Sequence, residues 1–239
     1  MRPVIKSAWL QENGSPKSYK PHNKANNDLE DNLGSYCSYC EVFSSDLEVE
    51  HVISQDQNDT LAHDWDNFLL ACGKCNGKDG KSNKHVDIAT MHFPHLNNTF
   101  LSFSYKEGGL ITVNPALTGS SRIHAENMLN LVGLDKYPGN SKYPKLNQND
   151  TRWRHRRTAW ESAKKYVAEY EADKLTATQI VDFATQRGFF SVWYTVFTNH
   201  PPVKELLLCS FIGTASNCFD PANSYLPVHR NPDNPDDPV

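Results

Sequence analysis

Leu47-Glu-Val-Glu-His-Val-Ile53 alternates apolar and polar positions, and Asn67-Phe-Leu-Leu-Ala71 is a short apolar run; both read as short strands. The second leads directly into a cysteine pair and a short helix. From Thr99 to Pro115 two β-rich runs flank Glu107-Gly108-Gly109, which is the pattern of a hairpin. Ser121 to Leu134 then predicts a helix, with Ser121 as N-cap and Ile123, Leu129 and Val132 as a buried stripe. The Pro- and Asn-rich stretch 138–150 reads as a linker or long loop. Beyond it, Trp153, Trp160, Ala163, Val167 and Tyr170 fall on one face of a helix that must pack. A helix pair is predicted over Ala177 to Thr198, whose FFSVWYTVF run is apolar enough for a core.

The ends lack such patterns. Residues 1–34 are polar, include the aperiodic stretch PKSYKPHNKANN, and read as an arm that is partly disordered in isolation. Residues 229–239 are acidic and proline-rich, which predicts a flexible tail. The expected organisation is therefore an arm (1–34), a compact cysteine-bearing core (35–95), a hairpin and helical region (96–228) and the tail (229–239). The fold class expected is α+β.

A chain of 239 residues can bury a real core, and its 38% hydrophobic and 11% aromatic content fits a soluble globular protein. No apolar run approaches the roughly 18 residues of a membrane span. The N-terminal MRPVIKSAWLQENG has no apolar stretch that could serve as a signal-peptide core, so the expected location is cytoplasmic. In that compartment thiols stay reduced, and paired cysteine spacings favour a metal over a disulfide. The net charge of −4 argues against coating nucleic acid by bulk positive charge. Positive charge clusters locally instead, in the first two dozen residues, over Lys74 to Lys84, and in RWRHRR from Arg152 to Arg157.

Cys37-Ser-Tyr-Cys40 and Cys72-Gly-Lys-Cys75 form two two-residue-gap pairs. Such gaps let both thiolates of a knuckle face one ion, and four thiolates complete the closed tetrahedral shell of a structural Zn²⁺. A redox role for these pairs, or unbound thiols, is the competing reading. Cys209 and Cys218 lack knuckle spacing and read as free thiols.

Phosphodiester hydrolysis needs an activated water, a cation to neutralise phosphate charge and help for the leaving oxygen. His51 has the intrinsic pKa of a general base near neutrality. Glu50 and Asn76 offer hard oxygen ligands, which suit Mg²⁺ or Mn²⁺ with waters retained. Lys78, Lys81 and Lys84 follow where ammonium groups could contact backbone phosphates as substrate-binding residues. A solvated lysine face is the competing reading.

The order Glu50-His51, then Trp65-Asp-Asn67, then Cys72-Gly-Lys-Cys75-Asn76 with following lysines resembles the HNH (ββα-metal) endonuclease family. The arginine and tryptophan residues downstream extend that resemblance to the HNH nuclease subunit of Septu-type anti-phage systems (PtuB-like). It implies a ββα-metal core with a four-cysteine zinc site over 35–95, and phosphodiester hydrolysis with DNA favoured and RNA open to the same chemistry. A catalytic Mg²⁺ or Mn²⁺ and an ATPase (PtuA-like) partner in anti-phage defence are also implied. In that family the acidic residue beside the base and the last Asn or His hold the catalytic ion. The position of Glu50 is more often Asp or His. Asn67 matches the middle letter of the family name, where an amide bridges the loop between the strands and orients the base. The alternative is a zinc-dependent module that binds nucleic acid or protein without cutting.

Overall fold

Leu29 and Leu33 lie four residues apart in an otherwise polar segment, and this apolar edge folds as helix α1 (Asn26–Leu33) with both leucines buried. The computed structural model describes residues 1–239 except 9, 12, 16, 79, 83, 146–148 and 233–238. The chain before α1 is held by polar groups. The buried Arg2 guanidinium donates from Nη1 to the carbonyls of Phe211 (2.8 Å) and Ile212 (2.6 Å), and from Nη2 to that of Leu33 (2.7 Å). Tyr19 packs on Trp65 and Phe68 and donates to Asp28 at 2.6 Å. The described residues of this segment therefore have partners far along the chain. Buried hydrogen bonds to distant residues order a segment that has no periodicity, and pattern reading does not register them.

Strand β1 (Leu47–His51) pairs antiparallel with β2 (Phe68–Cys72), in a register that sets His51 opposite Phe68 at one end and Leu47 opposite Cys72 at the other. Leu47 and Val49 are buried on one face of β1, while Glu48 and Glu50 share the other. One helical turn, α2 (Gly73–Asn76), follows β2. The segment after it tucks beneath α2, with Lys81 N–H donating to Cys75 O at 2.7 Å and Ser82 N–H to Asn76 O at 2.8 Å. Gly80 permits this approach, since a Cβ there would sit 2.1 Å from the Cys75 carbonyl oxygen.

A single turn, α3 (Thr99–Ser102), precedes the expected hairpin, formed by β3 (Phe103–Lys106) and β4 (Leu110–Val113) around Glu107–Gly109. The next helix, α4, spans Gly119–Val132 and ends on Gly133 in the left-handed region. Its buried residues include Ser121, Ala125, Met128, Leu129 and Val132, while Ile123 is 56% exposed. Ile123 therefore leaves the expected stripe, and Ser121 is inside the helix, not its N-cap. Helices α5 (Arg152–Glu171), α6 (Ala177–Arg187) and α7 (Phe190–Val196) lie where the periodicity predicts. Helix α8 (Pro201–Ser210) is an addition, and a two-residue pair, β5 (Phe219–Asp220) with β6 (Leu226–Pro227), closes the described fold.

Two apolar clusters form. One joins α1, the β1–β2 ribbon, the hairpin and α4; the other lies among α5 to α8. Residues 233–238 of the expected tail and 146–148 of the expected linker lie outside the described residues. Among the described residues no helix is long and apolar enough to cross a membrane.

Candidate active site and metal centre

Cys37 and Cys40 lie in the turn before β1, Cys72 ends β2 and Cys75 lies in α2, so pairing the two strands brings both knuckles to one end of the ribbon. The four Sγ atoms lie within 4.8 Å of one another, and Cys40 and Cys72 approach to 3.6 Å. A tetrahedron with Zn–S bonds of about 2.3 Å has S–S edges of about 3.8 Å. The four cysteines are positioned to bind a metal ion such as zinc, and the all-thiolate donor set fits that ion.

The knuckles also join the two regions of the fold. Arg152 Nη1 donates to Cys75 Sγ at 3.2 Å and to Val132 O at 2.8 Å, while Nη2 lies 2.7 Å from the Asp150 carboxylate. Arg156 is buried too, donating to Gly109 O (3.1 Å) and Leu134 O (2.6 Å). On the other knuckle, the buried Glu41 carboxylate accepts from Ser191 N–H at 2.7 Å at the start of α7. Two arginines of RWRHRR are therefore structural anchors beside the thiolates. Breaking a buried ion pair by removing one partner costs about 3–5 kcal/mol. Arg152→Ala is accordingly expected to lower unfolding stability by about that much. Urea titration reads the change, and an unaltered midpoint would contradict the anchoring.

On the polar face of the ribbon, beside α2, a cleft of about 280 Å³ opens. Its lining includes His22, Glu50, His51, Asp56, Asn76 and Lys81. Glu50 is 2% exposed; Lys81 Nζ lies 2.8 Å from its Oε1, which also accepts from Tyr39 O–H at 3.4 Å. Both contacts fall on Oε1, so neither engages Oε2. Burial raises the Glu50 pKa to about 7, against the opposing pull of the Lys81 charge. Asn76 donates from Nδ2 to Glu48 Oε2 at 2.7 Å, which leaves its amide oxygen as the side-chain acceptor.

His51 is half-buried, with its ring 5.0 Å from that of Phe68 and 4.7 Å from that of His22. Its Nε2 lies 3.0 Å from Ala62 O, an atom that can only accept, so this contact selects the Nε2–H tautomer and leaves the lone pair on Nδ1. The Gln55 amide nitrogen also approaches Nε2, at 3.3 Å, but as a donor it competes with the shorter carbonyl contact. Burial lowers the His51 pKa, partly offset by the Ala62 carbonyl; His22, Lys81 and His63 lower it further. Asn67, buried at the foot of β2, accepts from Ile53 N–H at 2.8 Å and donates to Ile53 O (2.9 Å) and Leu61 O (3.2 Å). It thereby closes the loop between the strands.

Of the residues singled out in the sequence, the fold brings Glu50, His51 and Asn76 to one cleft and sets Asn67 beneath the neighbouring loop. The lysines separate. Lys81 is 1% exposed and also donates to His51 O, so its ammonium faces the site's own carboxylate and backbone, where the sequence suggests a phosphate contact. Lys84 is exposed but donates to Leu131 O at 3.1 Å, and Lys78 is exposed beside α2. Pattern reading misses His22, which enters the cleft from the N-terminal segment, and Glu48, whose place on the Glu50 face follows from strand alternation alone.

Among the described residues, the four cysteines are the one group of three or more His, Cys, Asp or Glu side chains close enough to hold a metal ion. Within the cleft, the Glu50 carboxylate and the Asn76 amide oxygen are hard oxygen donors of the kind that Mg²⁺ or Mn²⁺ takes. No curated protein matches the chain. Residues 35–82, which hold both knuckles, the ribbon and the cleft's Glu50, His51, Asn76 and Lys81, match the family model described as HNH endonuclease, so the chain carries an HNH endonuclease domain.

Proposed function

We propose that the cleft hydrolyses phosphodiester bonds of nucleic acid, DNA in preference to RNA. One observation carries this reading: an imidazole with a lone-pair nitrogen and a buried carboxylate line one polar cleft at the end of a strand pair. His51 takes the proton of the attacking water. Ala62 and the Asn67-closed loop hold its ring, and Lys81 fixes Oε1 of Glu50 so that Oε2 faces the ligand role. Glu50 and Asn76 would hold a Mg²⁺ or Mn²⁺ ion, which supplies charge neutralisation at the phosphate and at the leaving oxygen. The knuckles hold Zn²⁺ as a structural ion, whose closed shell keeps it out of the chemistry.

In the finer reading the chain is the effector nuclease of a bacterial anti-phage system and works with an ATPase. The resemblance to Septu-type nuclease subunits supports this. So does the net charge of −4, because a chain with weak intrinsic attraction for nucleic acid gains from a partner that delivers the substrate. The test incubates plasmid DNA and RNA with the chain in Mg²⁺, Mn²⁺ or EDTA, alone and together with the product of a neighbouring ATPase gene. EDTA-sensitive cutting is expected, strongest with the ATPase present. Binding without cutting in every arm would sink the enzymatic reading, and equal cutting with and without the ATPase would sink the partnership.

A further inference from the structure

A second cavity, of about 300 Å³, lies between the segment Ile88–Asn97 and the first turn of α4. That volume is at the lower end of the roughly 300–1,000 Å³ of small-ligand sites. Ser120, Ser121 and His124 of α4 line it from one side and His92 from the other. The first turn of a 14-residue helix points N–H groups and the positive end of the helix dipole outward. Here the N-cap, Thr118, makes no side-chain cap hydrogen bond.

Ser121 places a buried hydroxyl at the same cavity. It is 7% exposed, it lines the cavity, and among the described residues its Oγ has no hydrogen-bond partner. Leaving a buried hydroxyl unsatisfied costs about 1–3 kcal/mol, so such a group calls for a hydrogen-bond partner in the cavity. The imidazoles add to this. His92 is buried, with Nδ1 3.0 Å from Ser102 Oγ, and its ring lies 5.6 Å edge-on from that of His124. Among the described lining residues none is acidic.

We propose that this cavity binds a phosphate group, whether free inorganic phosphate or the phosphate of a mononucleotide. The Ser121 hydroxyl donates to a phosphate oxygen and the open first turn of α4 faces the charge, with His124 beside it. The inference does not depend on the nuclease reading, because none of its residues belongs to the Glu50–His51 cleft.

Inorganic phosphate and AMP, at millimolar concentration, are titrated into the full chain while the imidazole NMR signals of His92 and His124 are followed. Saturable shifts are expected with at least one of the two. Phosphate and AMP at equal affinity would mark the anion itself as the ligand, and tighter AMP a nucleotide site. Ser121→Ala should weaken binding about tenfold, the size of one lost charge-assisted hydrogen bond, with unchanged folding. Ser121→Asp places a carboxylate where the anion would sit, so it should abolish binding and raise the melting temperature at low salt. The proposal is overturned if neither ligand shifts the two signals, or if Ser121→Ala binds as tightly as the parent.

Discussion

His51→Ala is expected to lower metal-stimulated cleavage by about 10²- to 10⁴-fold, the usual contribution of a positioned general base, while the zinc content stays unchanged. The ring is half-buried and its edges meet His22 and Phe68, so its removal takes away few core contacts. Cysteine coordination lies at the far end of the ribbon and should not register the change. Steady-state cleavage of a labelled duplex, read beside atomic absorption for zinc, separates chemistry from scaffold. Equal rates for the variant and the parent would remove His51 from the reaction.

The largest effect on stability is expected from Cys75→Ser. Structural zinc contributes an apparent free energy of about 10–16 kcal/mol in small zinc-binding peptides, whereas a whole domain is stable by only about 5–15 kcal/mol. The loss should not stay local. Arg152 links Cys75 to α5 and to the end of α4, and Glu41 links the first knuckle to α7, so both apolar clusters lean on the thiolate cluster. Loss of the near-ultraviolet circular dichroism of the whole chain is therefore expected, together with loss of zinc. A strong chelator should reproduce the effect in the parent protein. A variant that keeps a native spectrum without zinc would show that the scaffold stands by itself.

Local features account for what the sequence reveals. Each cysteine pair is a three-residue step and the strands of the ribbon and hairpin are four or five residues long, so knuckles, ribbon and hairpin are all legible from spacing. The long face of α5 is legible for the same reason. Arg152 and Arg156 share that buried face with Ala159, Trp160 and Ala163, yet their charge reads as solvent-facing until the carbonyls and thiolate that receive them are known. Lys81 is a similar case. A lysine after a knuckle suggests a phosphate contact, and only the tuck beneath α2 reveals a carboxylate 2.8 Å away. His22 and the N-terminal segment are harder still, because their partners lie tens to hundreds of residues along the chain. Ile123 fails for another reason: six residues, about 240° of helical turn, separate it from Leu129, so it stands away from the face that Leu129 and Val132 bury.

The most direct measurement is anomalous X-ray scattering from crystals of the chain soaked in Mn²⁺, collected at the zinc and manganese edges. Zinc signal should sit among the four Sγ atoms of the knuckles and manganese signal beside Glu50 and Asn76, within reach of water near His51. Manganese bound elsewhere while the Glu50 carboxylate keeps Lys81 as its sole cation would contradict the account.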